Sequence, residues 1–454
     1  MGERSDETPL EDPGSLLSLD VESLCFGRSA IARNEGRVVF VERAAPGDRV
    51  LARVNRRHPS YDEAELVELI EHGPARVTPL CPIVDECGGC PWQHVSYEAQ
   101  LEAKRRAVVD ALERIGDIEE PQVAPTVPSP LSYGYRNRLK LRFDKGRLGF
   151  YRAHSHSLAR VGECPVAESR VSEALPEVET FVAGLATQVT RVEVASRGEL
   201  AGLVLAVNSC GRLRRVDSRK VHDFLDNNHS RVTGLVMWGR GWRREWGDTR
   251  RRSRPGPDDM TIEVSGNAFG QVNTEANPLL VGLVIDAVKP GPWRYLLDLY
   301  AGSGNLTLAL APLAERAVAV EADRSSVEGG RRSARFRRLD AVRFKHDRVE
   351  AFLDGGDVGH PDVVGANPPR AGLAATWEKI AALGARRIVY VSCNPPALAR
   401  DLKSLATRGY SLHRATPLDL FPHTFHVETV CVLELTCRST VLYRPSRKPV
   451  RTGL

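Results

Sequence analysis

The sequence predicts an α/β protein whose C-terminal part is a parallel, helix-flanked sheet and whose N-terminal part is a small β-barrel. From residue 266 onward, apolar runs of five or six residues alternate with helical segments. Residues 16–78 instead contain short β-rich runs separated by glycine turns, as small barrels do. The region between them, 79–265, mixes both signals and predicts a central α+β domain. We therefore expect three domains, at 16–78, 79–265 and 266–454.

Composition sets broad limits on the protein. Of its 454 residues, 42% are hydrophobic and 27% are charged, which fits a globular protein with a sizeable core. No apolar run reaches the roughly 20 residues of a membrane span. Residues 1–15 are acidic and polar, unlike a signal peptide, and are expected to form a flexible tail. We expect a cytoplasmic monomer with no membrane partner. The net charge of +5 does not by itself indicate nucleic acid.

The barrel prediction rests on the run GRVVFVERAAPGDRVLARV, in which two β-rich stretches flank a turn at 46–48. A cysteine-rich loop follows the barrel. CPIVDECGGCPWQH spaces Cys81, Cys87 and Cys90 as C-x5-C-x2-C, and Cys164 comes 74 residues after Cys90. Nine cysteines, an odd number, in a long chain without a secretion signal do not form a disulfide framework, so the cluster indicates a metal site. Zinc sites usually show two short pairs. Three clustered thiolates plus a distant one favour a four-iron cluster, and the spacing leaves both open.

The central region contains a predicted helix and two basic stretches. The helix spans 97–116 by its apolar spacing, and we expect it to pack on the C-terminal domain. YRNRLKLRF would form a strand with one basic face. That face consists of Arg136, Arg138, Lys140 and Arg142. A second stretch, 240–252, interleaves arginines with two tryptophans, which suits phosphate contact and base stacking. A solvated strand face and a loose basic loop are the alternatives.

The C-terminal domain contains a glycine loop followed by an acidic residue. YLLDLYAGSGNLTLALA is a buried strand, a glycine turn and a helix start, and Gly302 and Gly304 allow a close backbone approach to a ligand. Nineteen residues beyond Gly302, Glu321 ends the next strand and can bind both hydroxyls of a ribose. A dinucleotide fingerprint would place a third glycine at Thr307. The loop therefore favours S-adenosylmethionine, and a methyltransferase over a dehydrogenase.

Further polar groups fall at strand ends, where open α/β sheets bind ligands. Asn367 and Arg370 follow one predicted strand, Cys393 follows the next, and Glu428 lies at the mouth of the last. Asn-Pro-Pro also occurs in enzymes that methylate exocyclic amines, but an aromatic residue follows it there, whereas Arg370 follows here.

A cysteine paired with a carboxylate suggests methylation of C5 of uracil. A thiolate adds to C6, C5 becomes nucleophilic, and a base later removes the C5 proton. Alone, Cys393 would be interpreted as core packing and Glu428 as a surface carboxylate. Their joint position beside the glycine loop favours their roles as nucleophile and general base.

The chain resembles the RNA uracil-5 methyltransferase family almost from end to end. NAFGQVNTEAN resembles the family's Phe-x-Gln-x-Asn stretch, DLYAGSGNLTL its cofactor loop and NPPRAG its Asp-Pro-Pro-Arg-x-Gly motif. VSCNPPALARDL resembles the segment of the nucleophile, and LFPHTFHVE that of the catalytic glutamate. The resemblance implies a class I, Rossmann-like methyltransferase domain, a TRAM-like barrel at 16–78, and a [4Fe-4S] cluster on the four cysteines, since cluster-bearing members share the CGGC core.

The resemblance also implies roles for site residues. Cys393 would be the nucleophile and Glu428 the base. The predicted cofactor-binding residues are Gln271, Tyr300, Gly302, Gly304, Asn305, Glu321, Asp347 and Asn367. The predicted RNA-binding residues are Arg136, Arg138, Lys140, Arg142, Phe269 and Arg370. The expected substrate is RNA, with large-subunit ribosomal RNA favoured over tRNA.

The chain departs from the family pattern at two positions. Ala301 stands where many members have cysteine, and Asn367 replaces the family's aspartate. We hypothesise that Asn367 is tolerated because an amide can both donate and accept hydrogen bonds. The lost charge keeps a second interpretation open, a catalytically impaired RNA-binding or assembly factor. A zinc-containing methyltransferase of the same reaction is a third.

Overall fold

The structure is a computed structural model that describes residues 14–227, 231–256, 260–356 and 358–436. The predicted tail lies almost wholly outside the described residues. The N-terminal domain is a closed barrel with strand order β1-β2-β3-β5-β4, as expected. Its strands are β1 (Leu16–Leu24), β2 (Ser29–Asn34), β3 (Arg37–Glu42), β4 (Arg49–Arg57) and β5 (Tyr61–Glu71). Alternate residues of each strand fill its core, and Trp92 and Val95 of the cysteine loop pack against them.

The central domain follows a long helix, α1 (Tyr97–Arg114). Its seven-stranded sheet has the order β12-β11-β10-β9-β6-β7-β8, and a separate hairpin joins β13 to β14. The strands are β6 (Arg138–Asp144), β7 (Arg147–Tyr151), β8 (Leu158–Arg160), β9 (Val189–Ser196), β10 (Leu203–Ser209), β11 (Val232–Gly239), β12 (Trp242–Gly247), β13 (Arg250–Ser253) and β14 (Ile262–Ser265). The helices are α2 (Ser169–Ser172), α3 (Leu175–Ala183) and α4 (Arg215–Asp226).

The C-terminal domain contains a seven-stranded sheet in the order β17-β16-β15-β18-β19-β21-β20. This order confirms the predicted Rossmann-like architecture. Five neighbouring strands are parallel, and only β21 and β20 are antiparallel to their neighbours. The strands are β15 (Trp293–Leu299), β16 (Ala314–Glu321), β17 (Val342–His346), β18 (Val363–Ala366), β19 (Arg387–Ser392), β20 (Tyr410–Leu418) and β21 (Glu428–Leu435). The helices are α5 (Asn277–Val288), α6 (Thr307–Leu310), α7 (Arg324–Phe336), α8 (Val349–Asp354), α9 (Trp377–Ala382) and α10 (Pro395–Ala406).

Two elements of the central region pack on the sheet of the C-terminal domain. Val108 and Leu112 of α1 belong to the same buried cluster as Leu398 of α10. Ile262 and Val264 of β14 belong to the core on the other side of the sheet. By its packing, β14 is therefore part of the C-terminal domain, although the sequence placed the boundary after it, at 265. Both elements connect the central region to this sheet.

Candidate active site

The carboxyl edge of the sheet of the C-terminal domain brings several strand ends together. Cys393 directly follows β19, and Asn367 directly follows β18. Strand β21 runs antiparallel to β19, with Thr429 opposite Ser392. Its first residue, Glu428, therefore lies at the same edge as Cys393, although it begins a strand rather than ends one. The register of these strands brings the predicted nucleophile and base together.

A cavity of about 1270 Å³ opens at this edge. It is larger than the roughly 300–1,000 Å³ of most ligand pockets, so it can take a cofactor and a nucleotide together. The predicted residues that line it are Phe269, Gln271, Tyr300, Gly302, Asn305, Glu321, Asn367, Arg370, Cys393 and Glu428. Residues predicted from separate motifs thus share one space.

The loop after β15 has the strained backbone that its glycines allow. Tyr300, Gly302 and Gly304 have positive φ angles of 60°, 57° and 88°. The backbone N–H of Gly302 donates to Glu321 Oε2 at 2.9 Å, and that of Asp323 donates to Oε1 at 2.7 Å. A Cβ on Gly302 would meet no atom within 4 Å, so the open side of the loop has room for a ligand. Two backbone donors thus orient the Glu321 carboxylate at the cavity wall.

Two predicted cofactor residues do not line the cavity. A Cβ on Gly304 would lie 2.8 Å from the Phe344 ring, so this glycine serves the packing of the loop against β17. Asp347 is exposed, and its Oδ1 accepts a hydrogen bond from the Arg348 backbone N–H at 2.8 Å. Neither residue is among those that line the cavity, and their roles in cofactor binding stay predictions.

Asp298 is a cavity residue that the predicted set left out. Its carboxyl is buried at the end of β15, which raises its pKa to about 7. Oδ2 accepts a hydrogen bond from the Thr307 hydroxyl, whereas Oδ1 has no hydrogen-bond partner among the described residues. An unsatisfied buried carboxylate oxygen suits a cationic group of a ligand. The available signal was an aspartate near the end of the strand that precedes a glycine loop.

Arg370 acts electrostatically on both Cys393 and Glu428. Burial and the nearby Glu428 raise the pKa of the Cys393 thiol, and Arg370 opposes that rise. Burial also raises the pKa of Glu428 to about 7, again against the effect of Arg370. The Arg370 guanidinium donates to His426 Nε2 at 3.0 Å, which requires that nitrogen to be unprotonated. Arg370 therefore favours the ionised forms that covalent catalysis needs.

The central domain holds the segment that contains Phe269 and Gln271. Arg138 Nη2 donates to the Gly270 carbonyl at 2.7 Å, and Asn137 Nδ2 donates to the Gln271 carbonyl at 3.0 Å. The Phe269 side chain is 62% exposed and lines the cavity. An exposed ring on a fixed backbone at a cavity wall is suited to stack on a nucleotide base.

The prediction that Arg138 lies on an exposed basic face is wrong. Its side chain is only 2% exposed and forms an ion pair with Glu193 at 3.2 Å. The residues of strand β6 do alternate, but the segment 268–270 covers this end of the basic face. Lys140 is exposed, and the half-buried Arg142 guanidinium lies 4.9 Å from the centre of the Tyr151 ring. Lys140 also pairs with Glu193 at 3.5 Å, so the strand presents less charge to a ligand than its sequence predicts.

Similarity to known proteins identifies the family to which this chain belongs. The family model described as tRNA (Uracil-5-)-methyltransferase matches residues 256–355 and 357–436. A relative from Alkalilimnicola ehrlichii, the 23S rRNA (uracil(1939)-C(5))-methyltransferase RlmD, is 34% identical over 96% of this chain and 99% of its own. The chain belongs to the RNA uracil-5 methyltransferase family. Another relative, an RNA methyltransferase of Synechocystis sp., is 32% identical over 94% of this chain and 97% of its own.

A solved structure supports the fold of this methyltransferase over most of its length. The tRNA (uracil-54, C5)-methyltransferase of Pyrococcus abyssi, in complex with S-adenosyl-L-homocysteine, is 25% identical and superposes with a TM-score of 0.70. The likeness covers 92% of this chain and 100% of the Pyrococcus chain. A TRAM domain model matches residues 12–67, which confirms the predicted identity of the barrel. Within the described residues, no helix combines the length and hydropathy needed to span a bilayer.

The four predicted metal ligands of this methyltransferase lie near one another. Cys81, Cys87 and Cys90 line a cavity of about 500 Å³. Burial raises the pKa of Cys90 to about 12, and the neighbouring Cys164 adds to that rise. Among the described residues, however, no three His, Cys, Asp or Glu side chains form a group that could hold a metal ion. Thiols bound to one zinc ion at about 2.3 Å would lie within about 4 Å of one another. That finding applies to zinc and to an iron–sulfur cluster alike, so it does not separate the two.

Arg136 lies beside these cysteines. Its positive charge lowers the pKa of Cys90 and of Cys164 against the effect of burial. Its backbone pairs with both Ala167 and Asn273. The position suits a connection between the cysteine loop and the segment of Gln271, and the role of this half-buried residue in RNA binding stays a prediction.

Proposed function

We propose that this protein transfers a methyl group from S-adenosylmethionine to C5 of a uridine in large-subunit ribosomal RNA. The observation that carries the proposal is the cavity in which Cys393 and Glu428 face the same space as Glu321 and the glycine loop. A nucleophile, a base and a ribose-binding carboxylate at one sheet edge match C5 methylation and have no common use in a dehydrogenase.

The first half of the proposed reaction uses Cys393. The ionised sulfur adds to C6 of the uracil ring, the C5–C6 double bond opens, and its electrons form an enolate on C5, C4 and O4. Arg370 assists by favouring the thiolate over the thiol. S-adenosylmethionine held by Glu321 and the glycine loop would then supply its methyl group to C5, and its own sulfur would leave as a neutral thioether.

The second half uses Glu428. After methylation C5 carries both a proton and the methyl group. The Glu428 carboxylate removes the proton, the electrons of the C5–H bond restore the C5–C6 double bond, and the bond from C6 to Cys393 breaks. A buried carboxylate with a pKa of about 7 accepts a proton more readily than an ordinary glutamate does.

The cavity fits S-adenosylmethionine, which supplies a methyl group activated by a positively charged sulfur. Glu321 is oriented to bind the ribose hydroxyls. The unpaired Oδ1 of Asp298 suits the amino group of the cofactor. Gln271, Tyr300, Asn305 and Asn367 complete the proposed cofactor-binding residues that line the cavity.

Ribosomal RNA is favoured over tRNA by the relatives that cover nearly the whole chain. Those from Alkalilimnicola ehrlichii, Hahella chejuensis and Azoarcus sp. share the 23S rRNA designation at 31–34% identity. The Pyrococcus tRNA enzyme, at 25% identity, keeps tRNA as the second candidate. The experiment is to map 5-methyluridine in ribosomal and transfer RNA from cells with and without this protein. Loss of one site in the large-subunit RNA is expected, and loss confined to tRNA would select the alternative.

An impaired RNA-binding factor with the same fold is the candidate of a different class, and Asn367 is the residue that favours it. Purified protein incubated with cofactor and unmodified RNA separates the two candidates. Binding of RNA without 5-methyluridine formation, with either ribosomal or transfer RNA, would support the binding factor. The ribosomal substrate supports a cytoplasmic location, and we expect a monomer.

We further propose that Cys81, Cys87, Cys90 and Cys164 bind a [4Fe-4S] cluster. Four thiols and no other donor type suit iron–sulfur ligation. The cluster would cross-link the cysteine loop to the central domain, and none of the methyl-transfer steps passes through it. Protein purified without oxygen should absorb near ~400 nm and contain iron. Stoichiometric zinc without iron would overturn the assignment.

A further inference from the structure

Helix α7 has an exposed face of unusual composition near its C-terminal end. The residues facing the protein, among them Val327, Gly330 and Ala334, are buried. The exposed residues at its end and just beyond it, which we call the α7 basic face, are Arg331, Arg332, Arg335, Phe336 and Arg338. Phe336 is 81% exposed, more than any other large hydrophobic side chain in the described part of the chain. Such a ring in the middle of an arginine cluster has no role in the fold.

The charge around this face is large compared with that of the protein. Residues 331–348 contain eight Arg and Lys side chains against two Asp side chains, so this segment carries +6 while the whole chain carries +5. Arg332 pairs with Glu263 at 3.7 Å. Within the described residues, no carboxylate lies within 4.0 Å of the guanidinium groups of Arg331, Arg335 or Arg338. The positive charge of this face is therefore largely uncompensated.

Helix stability explains only part of this composition. Basic residues in the last turn of a helix interact favourably with its dipole, and one or two are enough for that effect. The dipole does not favour an exposed phenylalanine, because water opposes exposure of its ring. Exposed aromatic rings beside arginines are instead the combination that binds RNA, through base stacking and phosphate contacts.

The face lies on the same helix as part of the cavity wall. Arg324 and Glu328, on the first two turns of α7, line the cavity of Cys393. Phe336 lies eight residues beyond Glu328, or about 12 Å along the helix at the usual rise. An RNA whose target uridine occupies the cavity therefore has flanking nucleotides within reach of this face.

We propose that the α7 basic face binds an RNA segment that flanks the target uridine, with Phe336 stacked on an unpaired base. The proposal rests on the RNA methyltransferase function above and assigns a second contact region to the same substrate. It lies on the β17 side of the sheet, apart from the TRAM barrel and from the basic strand β6. The face would add affinity and would take no part in the chemistry.

The test compares two variants, Phe336→Ser and the double variant Arg335→Glu/Arg338→Glu, on two substrates. One substrate is the unmodified large-subunit rRNA transcript, and the other is a stem-loop of about 20 nucleotides around the mapped uridine. On the transcript, we expect the double variant to raise KM about tenfold and to reduce the salt dependence of binding by about two phosphate contacts. We expect Phe336→Ser to weaken binding by about 5- to 100-fold. The kcat should not change with either substrate.

The control is Arg114→Glu/Arg408→Glu, which makes the same charge change on exposed side chains beside α10 and also removes the 3.9 Å ion pair of Arg408 with Glu378. Equal effects of the control and the α7 variants would mean that only net charge matters, and would overturn the proposal. A raised KM for S-adenosylmethionine, or an equal loss on the stem-loop, would assign the face to cofactor binding or folding instead. Transcript binding equal to wild type would also overturn it and would leave a protein partner for this face. Absence of methylation by the wild-type protein would instead refute the proposed function.

Discussion

Lys104 of α1 and Asp419 of the loop before β21 form an ion pair at 2.6 Å in which both side chains are fully buried. Lys104 Nζ also donates to the Phe421 carbonyl at 3.1 Å. One turn earlier on α1, the side-chain Oε1 of Gln100 accepts a hydrogen bond from the His423 backbone N–H at 2.7 Å. Helix α1 thus holds the segment that leads directly to Glu428, although the two lie more than 300 residues apart in the chain.

Replacement of Lys104 by methionine should leave Asp419 buried without its cation. We expect a loss of about 3–5 kcal/mol in the free energy of unfolding, because an isolated buried charge costs more than the pair contributes. Urea unfolding of the variant and of Lys104→Met/Asp419→Leu measures this. The double variant should recover most of the loss, and a double variant as unstable as the single one would contradict the explanation.

The covalent mechanism predicts different behaviour for the two catalytic variants. Cys393→Ala should form no adduct and no product. Glu428→Gln should methylate the ring and then retain it, because the C5 proton stays in place, and turnover should fall by about 10²–10⁴-fold. Denaturing gels with labelled RNA measure the adduct. With 5-fluorouridine RNA the wild-type protein should also be trapped, since fluorine cannot leave as a proton. Methylated product from Cys393→Ala at the wild-type rate would refute the mechanism.

The raised pKa of Glu428 makes the rate depend on pH. Only the ionised carboxylate can take the C5 proton, so adduct release should rise with pH and level off above about 7. Ionisation of Cys393 acts in the same direction. Single-turnover rates between pH 5.5 and 9 measure the profile. A release rate that is constant or falls over this range would exclude Glu428 as the base.

The raised pKa of Glu428 also makes the free energy of unfolding fall as pH rises. Because the folded pKa of Glu428 is raised from 4.5 to about 7, its favourable contribution is present below pH 4.5 and is lost as pH rises to about 7. Glu428→Gln should therefore stabilise the protein at pH 8, by at most about 3 kcal/mol, and change little at pH 4.5. The control is Glu434→Gln. The pKa of Glu434 is lowered by Arg387, so its replacement should destabilise the protein at pH 8.

Asn367→Asp tests whether the departure from the family motif weakens the cofactor site. The amide can both donate and accept, so we expect the substitution to change the Kd for S-adenosylmethionine by less than about threefold. Asn367→Ala removes both functions and should weaken binding more than the aspartate variant does. Calorimetric titration measures all three proteins. A many-fold gain for the aspartate variant would show that the native site is impaired and would support the binding-factor alternative.

Local patterns in the sequence predicted the elements of the site well. The strand endings of Asn367 and Cys393, the glycine turn and the acidic end of β16 all depend on neighbouring residues in the chain. The position of Glu428 was recognisable because it opens a clear β-run. The antiparallel register that brings it beside Cys393 depends on pairing across the sheet, which a single sequence does not display.

Contacts between distant segments explain the failures. The pattern around Arg138 is truly that of a strand with one basic face, but Glu193 and the carbonyl of Gly270 cover this residue. The packing role of Gly304 was not foreseen, because the ring of Phe344 that occupies the space beside it lies much further along the chain. Asp298 was missed because nothing local shows that its Oδ1 is left without a partner. In each case the decisive group comes from another part of the chain.

The cavity is built from two domains, since Asn137, Ser196 and Arg251 of the central domain line it together with Cys393 and Glu428. The C-terminal domain alone therefore does not form the complete cavity. A chimera that joins the C-terminal domain to another RNA-binding module would contain Cys393 and Glu428. It would lack the residues of the central domain that form one wall of the cavity. Retargeting this enzyme to another RNA would require transplanting both domains as a unit and exchanging only more peripheral parts.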